Sequence, residues 1–233
     1  MKRVLIAEDE ASIREFVVIN LERAGYEVVQ AGSGEEALSE FESLDGDIDV
    51  AILDIMMPGI SGLEVCKTLR AKSSNIGIIM LTAKTQEMDK VTGLLMGADD
   101  YVTKPFSPSE FMARVDAVYR RVAMGSSNVK KDSENTLVSG DFVLNLRNRT
   151  LTKKKTAIEL TQVEFQIMEY FLSNQGAALS RSDILKRVWG SDYYGDDKIV
   201  DVNIRRLRMK VEDDPSVPGH LITVWGVGYK WLS

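Results

Sequence analysis

Several apolar runs in this chain end in a polar residue suited to phosphate or metal chemistry. Glu8 and Asp9 follow Val4-Leu5-Ile6-Ala7, Asp54 follows Val50-Ala51-Ile52-Leu53, Thr82 follows Ile78-Ile79-Met80-Leu81, and Lys104 closes Tyr101-Val102-Thr103 just before Pro105. If these runs are parallel strands of one sheet, three carboxylates, a hydroxyl and an ammonium meet at its carboxyl edge. Such an oxygen-rich set suits Mg²⁺, which is held by carboxylates and water, and the cation relieves the mutual repulsion of the acids. Asp54 then stands as a nucleophile able to form an acyl phosphate. Lys104 would neutralise one phosphoryl oxygen and Thr82 would donate a hydrogen bond to another. Taken singly, an acid after a strand is a helix cap or a loop residue, and Asp9 alone reads equally well as a cap. The meeting of these residue types at separate strand ends favours the pocket.

The elements needed to build that pocket are legible. Strand candidates at 3–7, 26–31, 49–54, 77–82 and 99–103 alternate with helix candidates at 11–24, 34–43, 62–71, 85–96 and 108–121. Alternation of this kind implies βαβ crossovers and a parallel sheet. The strands are apolar without alternation, as in sheets covered on both faces. Five such units fit a flavodoxin-like α/β sheet of order 2-1-3-4-5, which binds ligands beyond the carboxyl ends of its strands. Ser107-Pro108-Ser109-Glu110 and Thr161-Gln162-Val163-Glu164 carry helix-start signals, with Ser or Thr at the cap and Glu three residues on.

After residue 121 the character changes. The polar stretch 122–135 reads as a linker. Short alternating segments in 136–158, such as Asp141-Phe142-Val143-Leu144-Asn145-Leu146, predict a small antiparallel sheet. Helix candidates follow at 162–174, 181–189 and 198–212, and glycines 226 and 228 between β-rich runs predict a terminal hairpin. In 198–212 the apolar positions Val200, Ile204, Leu207 and Val211 make one buried stripe. Lys198, Arg205, Arg206, Arg208 and Lys210 fall on other faces. Such a helix can enter the DNA major groove; the alternative is a solvated charged face, favoured by Asp197, Asp201 and Glu212.

Charge divides in the same place. Residues 1–121 hold 13 Lys and Arg against 21 Asp and Glu, whereas residues 122–233 hold 16 against 14, for a whole-chain net charge of −6. The acidic half suits a divalent metal and the mildly basic half is compatible with nucleic acid. One cysteine, Cys66, excludes an internal disulfide, and with a single histidine, His220, there is no zinc-binding set. No apolar run reaches the ~18 residues of a membrane span, and acids end the first apolar run too early for a signal peptide. A cytoplasmic protein with no membrane partner is therefore expected.

At the level of motifs, residues 1–121 resemble a response-regulator receiver domain. The likeness lies in Glu8-Asp9-Glu10, Asp54-Ile55-Met56-Met57-Pro58-Gly59, Thr82-Ala83, Gly97-Ala98-Asp99-Asp100-Tyr101 and Lys104-Pro105-Phe106. It implies phosphorylation of Asp54 by a sensor histidine kinase. It implies Mg²⁺ held by Asp9, Asp54 and the Met56 backbone carbonyl, with Glu8 acting partly through water. It also implies a cis peptide before Pro105, and a switch in which Thr82 moves toward the phosphate while the Tyr101 ring turns inward behind it.

Residues 136–233 resemble the winged helix-turn-helix domain of the OmpR/PhoB family, through Ile199-Val200-Asp201-Val202-Asn203-Ile204-Arg205-Arg206-Leu207-Arg208 and Gly226-Val227-Gly228-Tyr229. By that likeness Arg206 and Val202 face bases, and Lys198, Arg205 and Arg208 hold phosphates. Asn203 stands where His is frequent, and Trp225 where many members carry an arginine. The loop 190–197 resembles the family's surface for RNA polymerase. The likeness further implies a homodimer through the helix 85–96, the last strand and the helix 108–121, held by the pairs Lys90 with Glu110, Asp100 with Arg114, and Asp99 with Arg121. The whole is expected to be a phosphorylation-activated transcriptional regulator, binding double-stranded DNA at direct-repeat sites, rather than an enzyme. A phosphatase of haloacid-dehalogenase type would need a second acid where Met56 stands. A constitutive DNA-binding protein would have no need of the intact acidic set.

Overall fold

The computed structural model describes residues 2–83, 96–124, 135–191, 193 and 196–233. The chain divides into two compact units, Met1–Ala123 and Met124–Ser233.

The first unit runs β1 (Arg3–Ala7), α1 (Ala11–Arg23), β2 (Glu27–Ala31), α2 (Gly34–Ser43), β3 (Val50–Asp54), α3 (Gly62–Lys72), β4 (Gly77–Ala83), β5 (Asp100–Lys104) and α4 (Pro108–Met124). The expected helix 85–96 falls almost wholly outside the described residues. The five strands are parallel in the order β2-β1-β3-β4-β5. β1 and β3 flank the point where the strand order reverses, the usual place for a ligand in such a sheet. Apolar side chains from one face of the sheet, including Val4, Ile6, Ile52, Leu81 and Val102, pack with Leu21 of α1 and Phe111, Val115 and Val118 of α4. Helix starts follow the sequence signals: the Ser107 hydroxyl accepts from the Glu110 amide at 3.2 Å, and Ser61 with Glu64 closes a capping box at α3. α4 continues three residues past the expected domain limit of 121, because the apolar positions Val118 and Val122 still have β4 to cover at Gly77.

The second unit begins with an antiparallel meander, β6 (Thr136–Ser139), β7 (Phe142–Asn145), β8 (Thr150–Lys153) and β9 (Thr156–Ile158). Phe142 and Leu144 point inward and Val143 outward, as the alternation requires. Then follow α5 (Gln162–Ser173), β10 (Leu179–Ser180), α6 (Arg181–Trp189), α7 (Lys198–Val211) and the hairpin β11 (Leu221–Val224) and β12 (Gly228–Trp231). β10 pairs with β12, making a three-stranded sheet of order β10-β12-β11 that the sequence reading did not include. The buried Trp231 indole donates to the Ser139 hydroxyl at 2.9 Å, tying the last strand to the first sheet.

Candidate functional site

The strand register alone assembles the acidic pocket. Ala7 pairs with Leu53, so Glu8 and Asp54 are the next residues on neighbouring strands; Asp54 pairs with Leu81, placing Thr82 one step further, and Ala83 pairs with Lys104. Carboxylate oxygens of Glu8, Asp9 and Asp54 lie within 4.8 Å of one another. Glu8 and Asp54 are buried and Asp9 is exposed, so the cluster opens to solvent on one side. The Lys104 ammonium sits between the buried pair, 2.6 Å from Glu8 Oε2 and 2.9 Å from Asp54 Oδ2. Burial pushes the Glu8 carboxyl up, and the Asp54 charge adds to this against the opposing pull of Lys104. Burial would lower the Lys104 ammonium, but its bonds to both acids outweigh this and hold it above its ordinary value. Among the described residues one ammonium faces three acids, which leaves the pocket short of positive charge, the chemistry of a divalent-metal site.

The loop after β3 is fixed by contacts that no motif named. The Met56 amide donates to Asp54 Oδ1 at 3.3 Å, while the Met56 side chain is exposed. Glu35 of α2 accepts from the Ile60 amide at 3.0 Å. Gly62 lies so close beneath β3 that a Cβ there would sit 2.0 Å from the Asp54 carbonyl oxygen. Arg14 of α1 donates to the Glu8 carbonyl at 2.6 Å. Thr82 is buried and its hydroxyl donates to the Ala83 carbonyl at 3.3 Å; Tyr101 is buried too; and the Lys104–Pro105 peptide is cis.

In the second unit, α7 buries Val200, Ile204, Leu207 and Val211, but it buries more than the stripe. Arg206 is only 4 % exposed and pairs with the buried Glu164 carboxylate at 3.0 Å. Asn203 is fully buried, its amide donating to the Ile199 carbonyl, and Val202 is buried as well. Arg206, Val202 and Asn203, which the sequence reading set on the DNA-contacting helix, are thus buried in this structure, Arg206 against Glu164 of α5. Opposing desolvation, Arg206 and Lys210 together hold Glu164 below its ordinary value. Arg208 is half-buried and clamps the terminal hairpin, donating to the Leu221 carbonyl at 2.7 and 2.9 Å and to the Thr223 hydroxyl at 2.9 Å. Asp201 accepts from Arg181 and from Tyr229, each at 2.7 Å. Burial and that bond push the Tyr229 phenol up to about 12, so it stays a donor. Lys198 and Arg205 remain on the exposed face.

Comparison with known proteins agrees with this division. Residues 4–116 match the response regulator receiver domain family, and residues 154–231 match the family of transcriptional regulatory protein C-terminal domains. The sensory transduction protein RegX3 of Mycolicibacterium smegmatis is 45 % identical over 230 residues, covering 99 % of each chain. The alkaline phosphatase synthesis transcriptional regulatory protein PhoP of Bacillus subtilis is 44 % identical over 232 residues, 98 % of this chain and 96 % of that protein. The chain belongs to the OmpR/PhoB family of response regulators. As a member of that family it is a DNA-binding transcriptional regulator of a two-component system. Among solved structures, DrrB, described as a Thermotoga maritima OmpR/PhoB homologue, matches over the whole of both chains with 30 % identity and a TM-score of 0.50. A RitR mutant matches over both whole chains at a TM-score of 0.77 with 24 % identity, a likeness of fold.

In this OmpR/PhoB member, the described residues expected at a dimer face make contacts within one chain. Asp100 pairs with Arg114 inside one chain at 3.1 Å, both buried, and Arg114 also reaches Glu110 at 3.1 Å. Asp99 is buried, pairs with Arg70 at 2.8 Å and accepts from the Ile78 amide. Arg121 is buried. Asp100 and Arg114, expected to pair across a dimer face, thus also lie within reach of each other inside one chain, and Asp99 is held there by Arg70 and the Ile78 amide. Lys90 lies outside the described residues. Among the described residues no helix is long and apolar enough to cross a membrane.

Proposed function

We propose that Asp54 accepts a phosphoryl group from a phosphohistidine of a sensor kinase, and that the resulting charge controls promoter binding by the second unit. The observation that carries this is the Glu8–Lys104–Asp54 arrangement, in which one ammonium bridges two buried acids at the strand edge. An Asp54 oxygen attacks phosphorus, the bond from phosphorus to the imidazole nitrogen breaks, and an acyl phosphate forms while the histidine leaves. Lys104 then neutralises a phosphoryl oxygen, and Thr82 turns from the Ala83 carbonyl to donate to another. Tyr101 packs behind Thr82 as the switch. Glu8, Asp9, Asp54 and the Met56 carbonyl would hold Mg²⁺, whose positive charge offsets that of the acids and the incoming phosphoryl oxygens.

The work of this protein would be in the cytoplasm. Phosphorylation would favour a receiver homodimer, placing two DNA-binding units on direct-repeat sites. Lys198 and Arg205 would meet phosphates of the double-stranded DNA, with Arg208 holding the hairpin in place behind them. The 190–197 loop, which resembles the family's surface for RNA polymerase, would make that contact. The test is incubation with acetyl phosphate and Mg²⁺ followed by intact mass. One added phosphoryl group in the wild type and none in Asp54→Ala is expected; equal labelling of both proteins would remove the proposal.

A further inference from the structure

The loop between β3 and α3 is gripped from outside by a side chain of α2. Glu35 Oε1 accepts from the Ile60 amide at 3.0 Å. A Cβ on Gly59 would lie 2.4 Å from that same oxygen, and Gly59 stands at φ +75°, a conformation that suits glycine. A Cβ on Gly34 would lie 2.1 Å from the Ile60 carbonyl oxygen, so α2 meets the loop backbone to backbone. The start of α2 is fixed in turn, the Ser33 hydroxyl accepting from the Glu36 amide at 3.2 Å. Beyond Ile60, the Ser61–Glu64 capping box and the close approach of Gly62 to the Asp54 carbonyl fasten the far end. Between Asp54 and Ile60 only Ile55 and Met57 are buried, and Met56 is 69 % exposed. An exposed acid in a first helical turn ordinarily does no more than meet the helix dipole. Glu35 does that too, its carboxyl held below the usual carboxylate range first by its own amide and then by the Ile60 amide.

What this grip supplies follows from the demands of the metal. Mg²⁺ requires near-ideal octahedral coordination, and a working ligand set tolerates only about 0.2 Å of error in distance. The Asp54 carboxylate is placed by its strand, but the Met56 carbonyl is placed only by its loop. The bond from the Met56 amide to Asp54 Oδ1 is long, at 3.3 Å, and the exposed Met56 side chain adds no packing to steady it. Groups that orient metal ligands from behind carry a large share of a site's affinity. We propose that Glu35 is a positioning residue for the Mg²⁺ site: by holding the Ile60 amide it fixes the course of residues 56–60 and so the direction of the Met56 carbonyl. It acts through the loop and not as a ligand, so what it contributes is an acceptor oxygen and not its charge. The inference rests on the reading of Glu8, Asp9, Asp54 and the Met56 carbonyl as that site.

The test titrates the full-length, metal-free protein with MgCl₂ in a calorimeter. Glu35→Ala removes the acceptor, whereas Glu35→Gln removes the charge but keeps an amide oxygen for the Ile60 N–H. Glu35→Ala is expected to bind Mg²⁺ about tenfold more weakly, the lower end of what the loss of an orienting group costs, and Glu35→Gln nearly as well as the wild type. The Mg²⁺ concentration that half-saturates labelling by acetyl phosphate should rise in the same proportion in Glu35→Ala. The rate at saturating Mg²⁺ should stay close to that of the wild type, because Asp54 is untouched. Melting temperatures in metal-free buffer should agree closely, since the bond is exposed. Wild-type Mg²⁺ affinity in Glu35→Ala overturns the proposal, whatever its melting temperature. Equal weakening in Glu35→Gln and Glu35→Ala also overturns it, since the effect would then be one of charge. Asp9→Asn separates the two readings. If it abolishes Mg²⁺ binding while Glu35→Ala changes nothing, only the positioning role falls; if it too binds Mg²⁺ as the wild type does, the metal site itself falls.

Discussion

Lys104 and Glu164 are each the hub of a partly or wholly buried charge cluster, and each makes a prediction that surface charges would not. Removing Lys104 leaves Glu8 and Asp54 buried side by side with no ammonium between them. Breaking a buried pair in this way costs about 3 kcal/mol or more. Urea unfolding of Lys104→Ala should show that loss in metal-free buffer and recover much of it with Mg²⁺; a loss indifferent to Mg²⁺ would argue against a cation site. Glu164 is the counter-charge for Arg206 and Lys210. Its carboxyl is depressed in the folded state, so its contribution is present above the ordinary value of about 4.3 and fades as pH falls through the folded value. Glu164→Gln should cost about 3–5 kcal/mol at neutral pH, and its stability should fall less steeply than that of the wild type on acidification below that point. The pocket residues were readable because each ended an apolar run. Arg206 was not: Glu164 announces itself in sequence as a capping-box residue, which it is, and nothing in the spacing reveals that the same carboxylate also receives an arginine more than forty positions later.

At the level of elements, α7 and the terminal hairpin behave as one piece because Arg208 and Asp201 join them. Three arginines on one helix should therefore fail in three ways. Arg205→Ala should keep the melting temperature and reduce the salt slope of DNA binding by about one. Arg208→Ala should loosen the hairpin, costing about 1–3 kcal/mol for the carbonyl and hydroxyl left without a donor along with affinity. Arg206→Ala should lower stability most, since it leaves Glu164 short of a counter-charge. Thermal melts beside binding isotherms distinguish the set; equal melting temperatures for all three would show that burial is not what separates them. Helices and long strands were legible because their apolar periods extend over several turns or a whole strand. β10 was not, since two residues, Leu179 and Ser180, carry no period. Nor could sequence show that Gly62 is a contact point for the Asp54 carbonyl rather than a turn glycine.

For the whole molecule, the question is how a charge placed on Asp54 reaches DNA. The acidic first unit and the mildly basic second unit are separately compact, so either tethering or release of an inhibited state could link them. Tethering makes a specific demand. Two receivers joined by phosphorylation convert the second DNA contact into an intramolecular one, raising apparent affinity on a two-site duplex by about 10²-fold without altering either contact. A duplex with a single half-site should bind phosphorylated and unphosphorylated protein equally. The intrachain pairing of Asp100 with Arg114 sharpens this expectation. Because those charges are already satisfied in one chain, exchanging them across an interface adds little, and dimerisation should be weak enough to depend on protein concentration. Titrations of both duplexes at several protein concentrations, with Asp54→Ala as the control, read this directly. If phosphorylation raises affinity for the single half-site as much as for the pair, the gain comes from freeing the DNA-binding unit and not from joining two of them.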